Sequence, residues 1–387
     1  MIPLFQHYPL LGHKLPYVSL CELPTPVHKL EGLGDDLGVD HLYIKRDDLT
    51  GRVYGGNKIR KLEFILGEAL RSGAKEVLTV GLPGLKHPLS TAIYAQQVGL
   101  KSISMMMPQT DSPHIRRNLL MSHRCGAELH QHPNMPLLVL GTVYQLLRHK
   151  LRLGSLPRFI RGTRSCPLGT TGYVNAAFEL KEQVVNGEIP KPDFIYVALG
   201  SMGTAVGLIL GLKAAKLGSR VTCVRAIDER TANPRKMVEL FDKTTRFLHS
   251  LDPAFPKLEL SENDIDIRHG FYGRKNGLFT QRGMEARKHM ENSEGIELDE
   301  VYTARAFACL MGDAEKEYLR DKVVLFWNTY DSRDFSDAIA TVDYRYLPRC
   351  FHRYFEEDVQ PLDRRPQEGQ MIILDCTAST RQGIWRR

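Results

Sequence analysis

The apolar runs of this 387-residue chain alternate between strand-like and helix-like patterns, and no other feature narrows the fold as much. Glu76-Val77-Leu78-Thr79-Val80 reads as a strand. It leads through the loop Gly81 to His87 into a helix from about Ser90 to Val98. A strand around Ser102 to Met107, a helix from Pro113 through Met121 and a strand over Gly126 to His130 follow, and a helix over about Leu137 to Leu151 closes the unit. A second alternation runs from a helix over Gly172 to Val185, through strand Phe194 to Leu199, to a helix ending at Leu217 and a strand over Arg220 to Ala226. The last third adds a helix over Arg282 to Glu291 and a strand over Lys322 to Trp327. Strand-helix alternation of this kind predicts parallel sheets covered by helices on both faces. The chain exceeds one average core, so the expectation is an α/β protein with two doubly wound parallel-sheet domains.

The composition excludes several classes. The apolar fraction of 42% and charged fraction of 25% are those of an ordinary globular protein. The formal net charge of +7 is spread along the chain, with Arg116-Arg117 and Arg364-Arg365 as local exceptions. No basic stripe interleaved with aromatics is present, so no nucleic-acid partner is expected. The seven cysteines lie far apart without a CxxC spacing, which suits a reducing compartment. Without a basic n-region at the start or a run of about 20 apolar residues, neither a signal peptide nor a membrane partner is expected, and the predicted location is cytoplasmic. The 14 histidines show no HExxH spacing and no GxSxG occurs, so no metal site or serine nucleophile is expected.

Residues 54–63 read Tyr54-Gly55-Gly56-Asn57-Lys58-Ile59-Arg60-Lys61-Leu62-Glu63. Two glycines, an Asn at an N-cap position and an amphipathic run closing at Gly73 predict a helix that starts beside a glycine-lined space. Lys58 then falls in the first turn, where the helix dipole disfavours a cation. A lysine so placed is a candidate for Schiff-base chemistry. Gly-Gly-Asn is also an ordinary helix start, and Lys58 with Lys61 also fits a solvated face; the pattern alone leaves both open. A second candidate is the loop Gly200-Ser201-Met202-Gly203-Thr204 between strand and helix. It gathers free backbone N–H groups at a helix N-terminus, with the Ser201 and Thr204 hydroxyls as further donors to a phosphate. Its G-x-x-G spacing is not the dinucleotide fingerprint.

The string Lys45-Arg46-Asp47-Asp48-Leu49-Thr50-Gly51, followed by Gly55 through Glu63, closely resembles the 1-aminocyclopropane-1-carboxylate deaminase and D-cysteine desulfhydrase family. The similarity runs from about residue 20 to about residue 330. It implies a tryptophan-synthase-β-like fold and pyridoxal 5′-phosphate as cofactor. By the resemblance Lys58 carries the cofactor as a Schiff base, Lys61 contacts its phosphate with Asn57 alongside, and residues 200–204 hold the 5′-phosphate. Leu298-Asp299-Glu300-Val301-Tyr302-Thr303 resembles a family segment whose tyrosine stands over the cofactor. Thr303 falls where the pyridine nitrogen is contacted, and a threonine there is the desulfhydrase pattern. A neutral hydroxyl does not hold that nitrogen protonated, which suits β-elimination better than opening an unactivated cyclopropane. Read without the resemblance, Tyr302-Thr303 is an ordinary strand end.

The chain also departs from the pattern. Where relatives carry Ser-Asn ahead of a His or Gln, residues 85–87 read Leu85-Lys86-His87, and Leu82 replaces a glycine. The family Ser acts near the substrate carboxylate or as a base, and the Asn bonds the cofactor's 3′-oxygen; leucine and lysine reproduce neither. Ala304-Arg305 replaces Gly-Lys, and Thr163-Arg164-Ser165-Cys166 replaces Gly-Gly-Ser-Ser. Asn276 replaces a tyrosine for which Tyr272 is a nearby substitute. The expected activity is D-cysteine desulfhydrase-like β-elimination, with catalytic roles for Lys58, Tyr302 and His87 and release of pyruvate, ammonia and sulfide. The alternatives are a cofactor-binding homologue without catalysis and an aminocyclopropane-carboxylate deaminase. A small amino acid is the expected substrate, and a homodimer the expected assembly. The small domain is expected over 60–170 and the large, cofactor-binding domain over 1–59 plus 171–387, with about 345–387 a tail outside the resemblance.

Overall fold

A computed structural model describes residues 1–109, 111, 113–160, 165–273 and 278–357. Its strands form two sheets. Strands β1 (Val27–Lys29), β2 (His41–Arg46), β7 (Phe194–Leu199), β8 (Arg220–Arg225), β9 (Asp266–Arg268) and β10 (Val323–Asn328) make a six-stranded sheet in the order β1-β2-β10-β7-β8-β9. Every pairing in it is parallel except β1 with β2. Strands β3 (Glu76–Gly81), β4 (Lys101–Met106), β5 (Glu128–Gln131) and β6 (Arg158–Ile160) make a four-stranded parallel sheet in the order β5-β4-β3-β6. This is the α/β class with parallel sheets that the alternation predicts.

Helices α1 (Pro3–His7), α2 (Pro9–Lys14) and α3 (Glu31–Leu37) precede α4 (Asn57–Arg71). Helices α5 (Lys86–Gln97), α6 (Pro113–Arg124) and α7 (Met135–Leu153) belong to the four-stranded unit. Then come α8 (Pro167–Val185), α9 (Gly203–Ala214), α10 (Pro234–Leu251), α11 (Gln281–Glu294) and α12 (Thr303–Ala314), and short α13 (Ser336–Ile339) and α14 (Arg353–Glu356) close the described chain. Helix α8 is the central spacer, packing against both α4 and α9. It carries part of the largest apolar cluster together with β7, α9 and the N-terminal Leu4 and Phe5.

Several boundaries differ from those predicted. Helix α5 begins at Lys86 rather than near Ser90, because Pro88 falls in its first turn, where no intrahelical N–H is required. Helix α8 begins at Pro167 rather than Gly172, since its early glycines serve close packing instead of breaking the helix: a Cβ on Gly172 would stand 2.2 Å from the Arg60 carbonyl oxygen of α4. Tyr302 and Thr303 open helix α12 instead of ending a strand. The sequence reading passes over α10, β6 and β9. Thr163, Arg164, Asn276, Arg364-Arg365 and the apolar run 371–375 lie outside the described residues.

Candidate active site

The C-terminal ends of β2, β3, β7 and β10 lead into one region, where ligands sit in open parallel α/β sheets. The start of α4 is clamped by two of these ends. Gly56, not Asn57, is the N-cap, at φ +86°, and a Cβ there would stand 2.7 Å from the Tyr330 carbonyl oxygen. At Gly55 a Cβ would fall 1.8 Å from the Asp48 carbonyl oxygen. The Gly56 N–H donates to Asp47 O at 2.8 Å, and Gly55 N–H donates to Asp331 Oδ1 at 2.6 Å. Burial raises the Asp331 carboxyl to about 6. Asn57, freed from capping, donates its amide to Thr204 Oγ1 at 3.2 Å and so ties α4 to the glycine-rich loop.

Beneath this start lies a buried charge network. Arg60 donates to Asp47 Oδ1 at 2.7 Å and to Glu179 Oε2 at 2.8 Å, and Lys45 Nζ reaches Glu179 Oε1 at 2.6 Å. Tyr173 and Trp327 each donate to Asp47 Oδ2 at 2.7 Å. Burial opposes the charge on Glu179, but Arg60 and Lys45 outweigh it and hold the carboxyl well below its usual range. The Asp47 of the Lys-Arg-Asp-Asp string therefore anchors the helix start from below.

Lys58 has the opposite surroundings. Burial, then the like charges of Lys61 and Lys86, push its ammonium down to about 7, with no carboxylate among the causes. His87, only 4% exposed, has neither ring nitrogen hydrogen-bonded among the described residues, and burial with Lys61 and Lys58 holds it neutral, well below its ordinary value. Lys61 runs beside the start of α8, where a Cβ on Gly169 would meet its Cγ at 2.8 Å, and burial lowers its basicity with Cys166 opposing.

The glycine-rich loop closes the other side. Met202 takes the left-handed conformation at φ +69° and N-caps α9. Ser165 threads the loop: its hydroxyl donates to Ser201 O at 2.7 Å and accepts from Gly203 N–H at 3.0 Å. Tyr302 lies against Gly200, whose Cβ would meet its ring at 3.2 Å. The Thr303 hydroxyl donates to Asp299 Oδ2 at 2.9 Å and accepts from Asp299 N–H at 2.9 Å, so it is committed to its own helix start. Asp299 also accepts from the Tyr302 and Val301 N–H groups at 2.6 and 3.1 Å. Lys86 Nζ stands 3.6 Å from Asp299 Oδ2 and 3.8 Å from the Tyr330 ring centroid. Tyr272 lies between the guanidinium groups of Arg225 and Arg305.

The structure thus gathers Asn57, Lys58, Lys61, His87, residues 200–204 and Tyr302 around one space, with Thr303 turned to Asp299. Sequence reading missed Tyr330 and Asp331 as neighbours of the site, and met Ser165 only through the family pattern. The signal for the first two was their position just after a buried strand. Among the described residues, no group of three or more His, Cys, Asp or Glu side chains could hold a metal ion, and no helix is long and apolar enough to cross a membrane.

Known proteins share the sequence pattern and the fold. A family model described as pyridoxal-phosphate dependent enzyme matches residues 18–329. A Pyrococcus horikoshii protein, named provisionally as a 1-aminocyclopropane-1-carboxylate deaminase, is 33% identical over 312 residues, covering 80% of this chain and 90% of its own. The D-cysteine desulfhydrase of Serratia proteamaculans is 29% identical over 323 residues, covering 82% and 94%. The crystal structure of an ACC deaminase homologue superposes with a TM-score of 0.70 at 31% identity, over 87% of this chain and 99% of that one.

Proposed function

The chain belongs to the pyridoxal-phosphate dependent enzyme family, and from that premise we propose that it is a lyase acting on a small amino acid by β-elimination, as a D-cysteine desulfhydrase does. The observation that carries the reading is the setting of Lys58, a buried amine at a helix start pressed by two like charges. Lys61 and Lys86 lie within electrostatic reach of Lys58, and among the described residues no carboxylate acts to raise its basicity. Lysines gathered at helix starts, on α4 and α5 and beside α8, are the complement of an anionic group.

The residues present fit pyridoxal phosphate. The cradle over 200–204 is shaped around its own backbone, for a Cβ on Gly203 would stand 2.5 Å from Ser165 Oγ. The buried Thr170 hydroxyl, 3.6 Å from that Cβ position, has no hydrogen-bond partner among the described residues. Residues 200–204, Asn57 and Lys61 would hold the phosphate, Tyr302 would cover one ring face, and Lys58 would carry the aldehyde carbon at Nζ. When bound, the cofactor supplies an electron sink for charge developing at the substrate Cα.

The chain's own part follows from its pKa pattern. An amine lowered to about 7 is half neutral near physiological pH, so Lys58 Nζ is poised both to act as a nucleophile and to take a proton from the substrate Cα. That proton moves to Nζ, the Cβ–S bond breaks, and the thiolate leaves with the bonding pair. The enamine product then hydrolyses in water to pyruvate and ammonia. Lys86, from the first turn of α5, would turn from Asp299 to a substrate carboxylate, and neutral His87 beside it offers a ring nitrogen to the same space. On this reading residues 60–170 form the small domain and the remainder the cofactor-binding one.

A second reading has a specific observation in its favour. Lys86 is engaged by Asp299 and Tyr330, and Leu85 offers no hydrogen bond where relatives carry a serine, which suits a chain that binds the cofactor without turning over amino acids. One experiment separates the two. The protein purified with pyridoxal phosphate should show a visible absorption band that Lys58→Ala removes, and D-cysteine should shift that band and release sulfide. Absence of a lysine-dependent band defeats the assignment of Lys58. A band that neither D-cysteine nor 1-aminocyclopropane-1-carboxylate perturbs favours the non-catalytic reading.

A further inference from the structure

Beyond β10 the chain runs past the site and crosses from one unit to the other. Its first residues are pinned to the turn that follows β2 and to the start of α4. Ser332 Oγ donates to Asp48 Oδ2 at 2.7 Å, Arg333 Nε donates to Gly51 O at 2.8 Å, and Asp331 holds the Gly55 N–H. From Phe335 onward the chain belongs to the four-stranded unit. Phe335, Ile339, Leu347, Phe351 and Tyr354 are buried in one apolar cluster with Ile115 and Leu119 of α6 and Leu129 of β5, and α13 and α14 both pack on α6. A stretch anchored at both ends in this way is a strap across the site.

The far end of the strap grips Gln109 by its backbone. Arg353 Nη2 donates to Gln109 O at 3.1 Å, and the Gln109 N–H donates to Tyr354 Oη, also at 3.1 Å. Tyr354 is fully buried, and Gln131 Nε2 from β5 donates to the same hydroxyl at 3.0 Å. The Gln109 side chain then reaches back toward the site, where its Oε1 accepts from Gly84 N–H at 3.0 Å. No side chain could stand at Gly84, since a Cβ would fall 2.6 Å from Gln109 Nε2 and 2.8 Å from His114 Nε2. Asn118 Nδ2 holds the adjacent Pro83 carbonyl at 3.3 Å, and Leu85 N–H closes the turn on Leu82 O at 3.0 Å. Lys86 and His87 follow directly as the first residues of α5. Residues 82–85 lie in no helix or strand ladder, so these few bonds fix where Lys86 and His87 begin.

We propose that Tyr354 and Gln109 are positioning residues for the substrate loop, acting through Gly84 on Lys86 and His87. The roles of Lys86 and His87 toward a substrate rest on the function proposed above; the mechanical coupling from the strap to the loop does not. The line of bonds runs from Tyr354 Oη through Gln109 to Gly84 N–H and touches none of the groups assigned to the cofactor phosphate. Loss of the Tyr354 hydroxyl leaves the Gln109 N–H without its acceptor beside a buried ring. The smallest rearrangement that relieves this moves Gln109, and Gly84 moves with it.

The test compares Tyr354→Phe with Tyr346→Phe, which removes a hydroxyl from a ring 76% exposed. In the full chain loaded with pyridoxal phosphate, amide hydrogen exchange read by mass spectrometry should quicken over residues 82–90 by about tenfold in Tyr354→Phe. It should stay unchanged over residues 57–66 and throughout Tyr346→Phe. Gln109→Met should repeat the effect, whereas Gln109→Glu, which keeps an acceptor oxygen for Gly84, should restore the wild-type rate. With D-cysteine, Tyr354→Phe and Gln109→Met should raise KM several-fold with little change in kcat or in the visible band. Exchange over 82–90 no faster than in wild type, or quickened equally along the whole chain, overturns the proposal. So does a Gln109→Glu chain that exchanges like Gln109→Met. A wild type that does not turn over D-cysteine defeats the proposed function instead, and the exchange rates still decide the coupling.

Discussion

Lys58 and Arg60 stand two residues apart on the first turn of the same helix and live in opposite electrostatic worlds. Arg60 points down into Asp47 and Glu179, with Lys45, Tyr173 and Trp327 completing a buried set in which those carboxylates are answered. Burial disfavours its charge, yet the two carboxylates outweigh that and raise its basicity well above the ordinary value. Among the described residues the charges that act on Lys58 are those of Lys61 and Lys86, so burial dominates and its basicity falls to about 7. The difference teaches where the protein's own interactions end. A cation satisfied by the chain holds the fold, and a cation left uncompensated is waiting for something the chain does not supply.

The contrast can be broken most severely at Arg60. Arg60→Met leaves Asp47 and Glu179 buried with one fewer cation and should cost about 3–5 kcal/mol in urea unfolding. Glu179 adds a sign to this. Its carboxyl is depressed in the fold, so its contribution is present above the unfolded value near 4 and is lost as pH falls through the folded one. Wild type should therefore lose more stability on acidification than a Glu179→Gln variant does.

Lys58→Met should act in the reverse direction. In the cofactor-free protein Lys58 is protonated in both states below pH about 7, where the full cost of burying its charge is felt. Between about 7 and about 10.4 only the unfolded chain keeps the proton, so wild-type stability climbs with pH. Thermal unfolding should find Lys58→Met more stable by roughly 2–4 kcal/mol at pH 6, an advantage that fades by pH 10. An advantage that does not change with pH would show that Lys58 is not held deprotonated by the fold.

The smallest effect sharpens the comparison within the site. Lys86→Gln removes one of the two like charges near Lys58 and should raise its midpoint by about half a unit. The rate of cofactor capture by the stripped protein, followed at the visible band against pH, should shift its midpoint upward. A downward shift would mean that Lys86 reaches Lys58 by another route, with Asp299 as the first group to examine.

Legibility followed from how local each interaction is. The strand Phe194–Leu199, the turn after it and the helix start at Gly203 were readable because a buried apolar run, a glycine-rich turn and a helix are all written in consecutive residues. Lys58 in the first turn of α4 was readable for the same reason. The N-cap was misjudged by one residue, since an Asn is a common cap and only the approach of Tyr330 and Asp48 to the glycines reveals why Gly56 takes that place. The helix start was placed at Gly172 rather than Pro167 because the helix that Gly169 and Gly172 let α8 approach is more than 100 residues away in sequence.

By itself the sequence determined the alternating architecture, the two glycine-rich turns and the placement of a lysine at a helix start, because periodicity and turn chemistry act over a few residues. Only the tertiary structure decided that Arg60 is neutralised and Lys58 is not, that Lys86 leans on Asp299 and Tyr330, and that Tyr354 reaches Gly84 through Gln109. Charge compensation and burial depend on which distant strand ends and helices share a space, and that is set by how the two sheets and α8 pack together.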